Sequence, residues 1–511
     1  MKLERSKNAV RNTAYGLINK IVAIVFPFVV RTVFIKTLGS EFLGLNSLFS
    51  SILTVLNLTE LGFSSAVVFC MYKPIAEDDA YSINALLLFY KRVYAVIGLI
   101  IFVIGLALIP FIPHLINGTY PTAINLTVVY LVYLFNTVLS YFMYAYLQAL
   151  ISAFQREDVI SKVNVIVQSA MYILQIIVLL TTKNYYAYLL IMPAFTVANN
   201  IRTAVIAKKL FPDYRPAGRL SKEYKALIKE KVSGLVINKV CIVSRNAFDS
   251  IFISMFLGLT ETAIYNNYYY VMNAVILITS VFVNAVVSGA GNSVEMDTVE
   301  KNYCDMNRIN FLYMWVAGWF TICMLNLYQP FMQLWVGADL MYPMGCVVLL
   351  CLYFYILKMS DVRYIYELAI GLWWENRFRS IAEAVANLAL NYLLGKLFGV
   401  YGIIIATIVS IFFINYLYGT KIIFKYYFKE QSIKAYFKTQ SLYGLVTILI
   451  CGITFLACYR IKYSISGFVM RVAVCIFLPN LLYYVVYHKT QTYHQVIKWI
   501  MPKIKAVIRI R

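Results

Sequence analysis

Long apolar segments recur along the whole of this chain, and each is long enough to cross a bilayer as a helix. A hydrocarbon core about 30 Å thick takes about 20 residues at a rise of about 1.5 Å each. Within that core the backbone N–H and C=O groups must be bonded inside the segment itself, which a helix achieves. Composition agrees: 61% of the residues are hydrophobic and 13% are charged, whereas a soluble domain holds about 45–50% and about 25%. No stretch between the apolar segments is long enough for a soluble domain of ordinary size. The expected fold class is therefore an all-α polytopic membrane protein.

Fourteen spans are expected: 12–36, 43–71, 93–113, 122–149, 160–181, 185–207, 232–257, 262–290, 307–328, 344–370, 380–397, 400–423, 441–459 and 464–487. An even number puts both termini on one side. The basic N-terminal stretch MKLERSKNAVRNTAYG lacks the small-residue cleavage site of a signal peptide and reads as the cytoplasmic start of a retained helix. With that start, 32 of the 45 Lys and Arg fall in or at the edges of cytoplasmic segments, five on outward loops and eight inside spans. This is the positive-inside asymmetry, and a missed or invented helix would have inverted every later loop. It also accounts for the net charge of +22 without nucleic acid as a partner.

Three basic segments read as interfacial. Residues 208–231 join spans six and seven with prolines, a glycine and a short amphipathic stretch; a solvated linker is the alternative. Residues 425–438 alternate Lys with aromatics, and the tail HQVIKWIMPKIKAVIRIR has the same character. Such segments suit contact with anionic headgroups.

The chain carries an internal repeat. YGLINK (15–20) resembles SGLVINK (233–239), and at an offset of 219 residues Asn19-Lys20 fall on Asn238-Lys239 and Gly39 on Gly258. Six spans separate the copies, so both enter from the same side, as in parallel repeats of transporters. The expected plan is two six-helix lobes around a central cavity plus two C-terminal helices. Its divisions are an N-terminal lobe (1–210), a cytoplasmic linker (211–231), a C-terminal lobe (232–424), an interfacial linker (425–440), the last helix pair (441–487) and a basic tail (488–511).

Charges inside the spans need a partner, an aqueous cavity or a position from which to reach the interface. Arg202 and Arg471 lie near span ends and can snorkel. Arg245–Asp249 and Arg363–Glu367 are spaced i,i+4, and Lys358–Asp361 i,i+3, so each can pair on its own helix. For the charges of span ten, internal pairing stands beside a relay or gate. Lys20 and Arg31 are eleven residues apart, which puts them on one face roughly 16 Å apart in height, with Pro27 between them. Glu60 returns to about the depth of Lys20 and offers it an ion pair. Arg31 has no acid at its depth, although it is close enough to the span end to snorkel outward.

The functional reading is a column of positive charge. Lys20 and its repeat partner Lys239 lie near the cytoplasmic mouth, with Arg31 higher and Arg245 nearby. At the repeat offset Arg31 falls on Ser250, so it has no counterpart. Eight basic residues against five acids inside the spans favour an anionic substrate, best a phosphate or pyrophosphate held by Arg. Glu60, Asp249, Asp361, Arg363 and Glu367 are the candidates for ion coupling or gating.

Two stretches, RTVFIKTLGSEFLGLNSLFSSILTVLNLTELGFSSAVVFCMYKPIAEDD (31–79) and GLWWENRFRSIAEAVANLALNYLLGKLFGVYGIIIATIVS (371–410), resemble bacterial polysaccharide-transport proteins. These are the Wzx-type flippases of the multidrug/oligosaccharidyl-lipid/polysaccharide exporter superfamily, and the resemblance extends over the whole chain. It implies a flippase that carries undecaprenyl-pyrophosphate-linked oligosaccharide from the cytoplasmic to the outer leaflet by alternating access, for capsule, exopolysaccharide or O-antigen. It also implies residence in the bacterial cytoplasmic membrane, no cofactor beyond coupling to a proton or sodium gradient, action as a monomer, and a polysaccharide polymerase or assembly complex as protein partner. The alternatives are a flippase for another wall precursor (lipid II or a teichoic-acid unit) and a cation-coupled multidrug exporter. An enzyme is disfavoured: the sequence has no nucleophile–base constellation, no phosphate loop and no metal-ligand spacing.

Overall fold

The computed structural model describes residues 5–57, 63–372 and 374–509, and among them there is no strand. The helices are α1 (Arg5–Leu38), α2 (Ser40–Leu56), α3 (Phe63–Ala76), α4 (Ala80–Leu108), α5 (Leu126–Phe142), α6 (Ala145–Ala153), α7 (Glu157–Thr182), α8 (Tyr185–Leu210) and α9 (Lys222–Leu257). They continue as α10 (Leu259–Met296), α11 (Val299–Val336), α12 (Met344–Met359), α13 (Asp361–Ile370), α14 (Arg377–Val409), α15 (Gly419–Tyr426), α16 (Ile433–Tyr459), α17 (Ile465–Tyr487) and α18 (Gln491–Arg509). The protein is an all-α polytopic membrane protein.

Polar residues in the connecting segments start the helices. Asp79, Asn125, Asn184, Ser221, Thr298, Ser432 and Ser464 each accept a backbone N–H of the first turn that follows, which satisfies a donor the helix itself leaves open. Elsewhere large apolar side chains cover the helix surfaces. On α16, for example, Leu445, Ile448, Leu449 and Leu456 are all exposed and recur at helical spacing, as suits a face turned to lipid.

Among the described residues ten helical segments are long and apolar enough to cross a membrane, or eleven if the bent pair α5–α6, inclined at 51°, forms one span. The fourteen expected spans fall on helix where they are described, and three places account for the lower count. The segment Arg377–Tyr426 counts as one, yet it reverses at Gly399, whose φ of 58° and ψ of −136° are not helical. Asn387 on one arm donates to Thr407 and Ser410 on the other, and Asn415 donates to Glu383, so 380–397 and 400–423 are the two arms of a hairpin. The expected span 43–71 falls on α2 and α3, each too short alone, with residues 58–62 outside the described residues. The expected seventh span falls on α9, where the side chains of 229–242 lie outside the described residues and Ala247–Leu257 is the apolar stretch among those described.

The chain packs as two compact units, Met1–Asn266 and Asn267–Arg511, with the boundary inside α10. In the first, α1 packs along α7, α7 on α8, and α2 on α9. Gly44 of α2 allows a close approach to the start of α10, because a Cβ there would overlap the Leu259 carbonyl. In the second, α11 is the central element and contacts α12, α16 and α17. Buried tyrosines pin the helices: Tyr130 donates to the Gly105 carbonyl and Tyr328 to the Tyr268 carbonyl, both at 3.1 Å. A buried hydroxyl without a partner would be costly.

Candidate functional site

In the first unit α1 runs unbroken through Pro27, so Lys20 and Arg31 are carried on one continuous helix. Lys20 is exposed and Arg31 is half-buried. Three residues on from Arg31, the Phe34 ring packs edge-on against Tyr185 and Tyr188 of α8, with centroids 5.9 and 5.0 Å away. The Arg31 charge acts on Tyr188, which also bonds Asn46 of α2. Tyr133 of α5 donates to the same Asn46 Oδ1 at 2.5 Å. Arg31 therefore borders a polar aromatic cluster (Asn46, Tyr133, Tyr185 and Tyr188) assembled from three other helices. Hydroxyls and an amide beside a guanidinium can share the oxygens of an anion. Sequence reasoning missed these four residues. The only signal was Asn46 inside an expected span, and the tyrosines i,i+3 at the start of α8.

The repeat partner is less well defined. Lys239 lies on α9, but its side chain is outside the described residues. Glu60, the expected partner of Lys20, also lies outside them. Arg245 and Asp249, farther along α9, are both buried, and Asp249 accepts a hydrogen bond from Tyr265 at 3.1 Å. Next to them Ser250 and Asn266 bond each other, and Ser254 donates to the Leu115 carbonyl at 2.8 Å.

The charges of span ten form a network in the second unit. Lys358 pairs with Asp361 at 2.8 Å, and Tyr313 of α11 donates to the same carboxylate. Arg363 pairs with Glu367, both buried. Its second nitrogen donates to Asn415 at 2.9 Å, Asn415 donates to Glu383 at 2.8 Å, and Arg379 lies 3.6 Å from Glu383. Gly419 makes room, since a Cβ there would overlap the Arg363 guanidinium. Three cations thus neutralise three carboxylates across α12, α13 and the α14 hairpin. Sequence spacing found the first two pairs and missed the third. Arg471 reaches the Ile461 carbonyl in the α16–α17 connection at 2.6 Å, the end-of-span position expected of it.

Among the described residues no group of three or more His, Cys, Asp or Glu side chains is placed to hold a metal ion.

No protein-family model matches the sequence, and no curated protein matches it in sequence. Solved structures do match in fold. The lipid II flippase MurJ in an inward closed conformation aligns with a TM-score of 0.65 at 14% identity, over 94% of this chain and 99% of that one. An inward-facing multidrug resistance MATE family transporter of the MOP superfamily aligns with a TM-score of 0.60 at 13% identity, over 78% of this chain and 94% of that one. A MOP superfamily transporter from Pyrococcus furiosus, whose binding pocket is described as having reverse polarity, aligns with a TM-score of 0.55 at 13% identity, over 82% and 96%. The chain therefore has the fold of the MOP-superfamily transporters.

Proposed function

We propose that this protein is a flippase that moves undecaprenyl-pyrophosphate-linked oligosaccharide from the cytoplasmic to the outer leaflet of a bacterial cytoplasmic membrane, with both termini cytoplasmic, for capsule, exopolysaccharide or O-antigen synthesis. The observation that carries this reading is where the membrane charge is left over. In the second unit the span carboxylates Asp361, Glu367 and Glu383 each face a cation. The surplus positive charge of the spans lies in the first unit, where Lys20, Arg31, Arg202, Lys239 and Arg245 stand against Glu60 and Asp249. A pyrophosphate is the natural counter-charge, and Arg31, Lys20, Lys239 and Arg245 hold it, with the hydroxyls beside Arg31 taking further oxygens. The transport cycle alternates access by the protein, coupled to a proton or sodium gradient through carboxylates such as Asp249. The reading includes a monomeric transporter that hands its product to a polysaccharide polymerase or assembly complex.

The fold similarity to a lipid II flippase favours a second reading, a wall precursor built on the same pyrophosphate handle. Deleting the gene and analysing lipid-linked glycans separates the two. Accumulation of a polysaccharide repeat unit on its polyprenyl carrier supports the first reading, accumulation of lipid II or a teichoic-acid precursor the second, and an unchanged pool overturns both.

A further inference from the structure

A cleft of about 390 Å³ lies in the second unit between the turn at 374–378 and α15. Its two walls are both cationic and aromatic. On one, the Arg377 guanidinium sits 3.8 Å from the Trp374 ring and 4.4 Å from the Phe378 ring, and it donates to the Trp374 carbonyl at 2.6 Å. Trp374 and Phe378 are themselves 57% and 63% exposed. On the other wall Lys421 and Lys425 follow one another at i,i+4 and are exposed. Glu375 is the single carboxylate in the lining, and no ion pair engages Arg377, Lys421 or Lys425 among the described residues.

This arrangement is unfavourable without an anion. Two lysines a helical turn apart repel each other, and a guanidinium fixed between two rings, with one donor on the Trp374 carbonyl, is held in place beside them. The rings decide which anion. Exposed Trp and Phe beside cations are the residues of the membrane–water interface, where the ring body meets acyl chains and glycerol and the charge meets the headgroup. The cleft opens at the ends of spans ten and twelve, which the distribution of Lys and Arg puts on the cytoplasmic side, where anionic lipids attract basic side chains.

We propose that this cleft docks the phosphate headgroup of an anionic phospholipid, with Arg377, Lys421 and Lys425 around the phosphate and Trp374 and Phe378 against its glycerol and chains. The site is distinct from the residues assigned to the transported substrate and stands whichever glycan is carried.

The test is native mass spectrometry of the full-length protein released from micelles doped with phosphatidylglycerol and phosphatidylcholine. The wild type is expected to retain phosphatidylglycerol in preference. Lys421→Gln with Lys425→Gln should weaken that retention about 25-fold, at about fivefold per lysine, while Lys73→Gln with Lys91→Gln, exposed lysines of α3 and α4, should leave it unchanged. Phe378→Ala should shorten retention of the lipid without affecting binding of inorganic phosphate. Equal retention by the Lys421/Lys425 variant overturns the site, as does equal loss in the Lys73/Lys91 variant. If inorganic phosphate displaces the lipid and Phe378→Ala has no effect, the cleft is a free-anion site and the lipid assignment is wrong.

Discussion

Gly39 and Gly258, separated by 219 residues, adopt the same backbone conformation: φ 93° and ψ 176° at the first, φ 92° and ψ −177° at the second. Each ends one helix and starts the next without an intervening residue. This region of backbone space is open essentially to glycine alone. The matched pair is the structural counterpart of the short repeat in the sequence, and it explains why a glycine recurs at the same register after each Asn-Lys pair.

Replacing either glycine should destabilise the protein, and not equally. At Gly39 a Cβ meets no atom within 4 Å, whereas at Gly258 it lies 2.8 Å from the Asn117 carbonyl oxygen. Gly39→Ala should therefore cost only the backbone strain, about 1–3 kcal/mol, and Gly258→Ala more. Thermal unfolding of the purified protein in detergent orders the two. A Gly258→Ala variant as stable as wild type would contradict the strain argument.

The Arg363–Glu367 pair is a structural element as well as a gating candidate. Removing one partner leaves a buried charge, so Arg363→Ala should cost about 3–5 kcal/mol. The double change Arg363→Met with Glu367→Leu should recover much of that loss, because Arg379 and Glu383 still pair with each other. Denaturant unfolding measures both. Transport by a stable double variant then tells structure from gating: a normal rate assigns the pair to packing alone.

Asp79 caps α4, and its hydrogen bonds to Ser82 hold its carboxyl below the ordinary value of 3.8. A carboxylate lowered on folding contributes stability above its unfolded value and loses it as the pH falls through its folded value. Asp79→Ala should thus lower the melting temperature near neutral pH, by an amount that shrinks as the pH is taken below 3.8 through the folded value. A difference of the same size at both pH values would place the effect elsewhere.

The parts of the site that were legible in the sequence are those fixed by a single helix. Lys358–Asp361 and Arg363–Glu367 follow from the geometry of one turn, and so does the shared face of Lys20 and Arg31. What was not legible crosses between helices. Arg379 was counted to a loop because its helix was expected to start at 380; α14 starts at Arg377, which puts Arg379 one turn before Glu383. Asn415 joins that pair to Arg363 only because the chain reverses at Gly399, 32 residues separating Asn415 from Glu383. Asn46, Tyr133 and Tyr188 come together from three helices, with Arg31 acting on Tyr188, and no spacing along one helix announces such a meeting. The helical spans themselves were legible because burial of the backbone in lipid leaves so few options.

The most direct test of the account is the rate at which the reconstituted protein turns a lipid-linked, pyrophosphate-bearing oligosaccharide across a vesicle membrane, wild type against Arg31→Ala and Arg31→Lys. The Ala variant should be slower by at least about tenfold, the loss of one charged hydrogen bond of about 1.5–3 kcal/mol, and the Lys variant intermediate because it keeps the charge without the planar fork. Wild-type flipping by a correctly folded Arg31→Ala protein would contradict the claim that Arg31 holds the pyrophosphate.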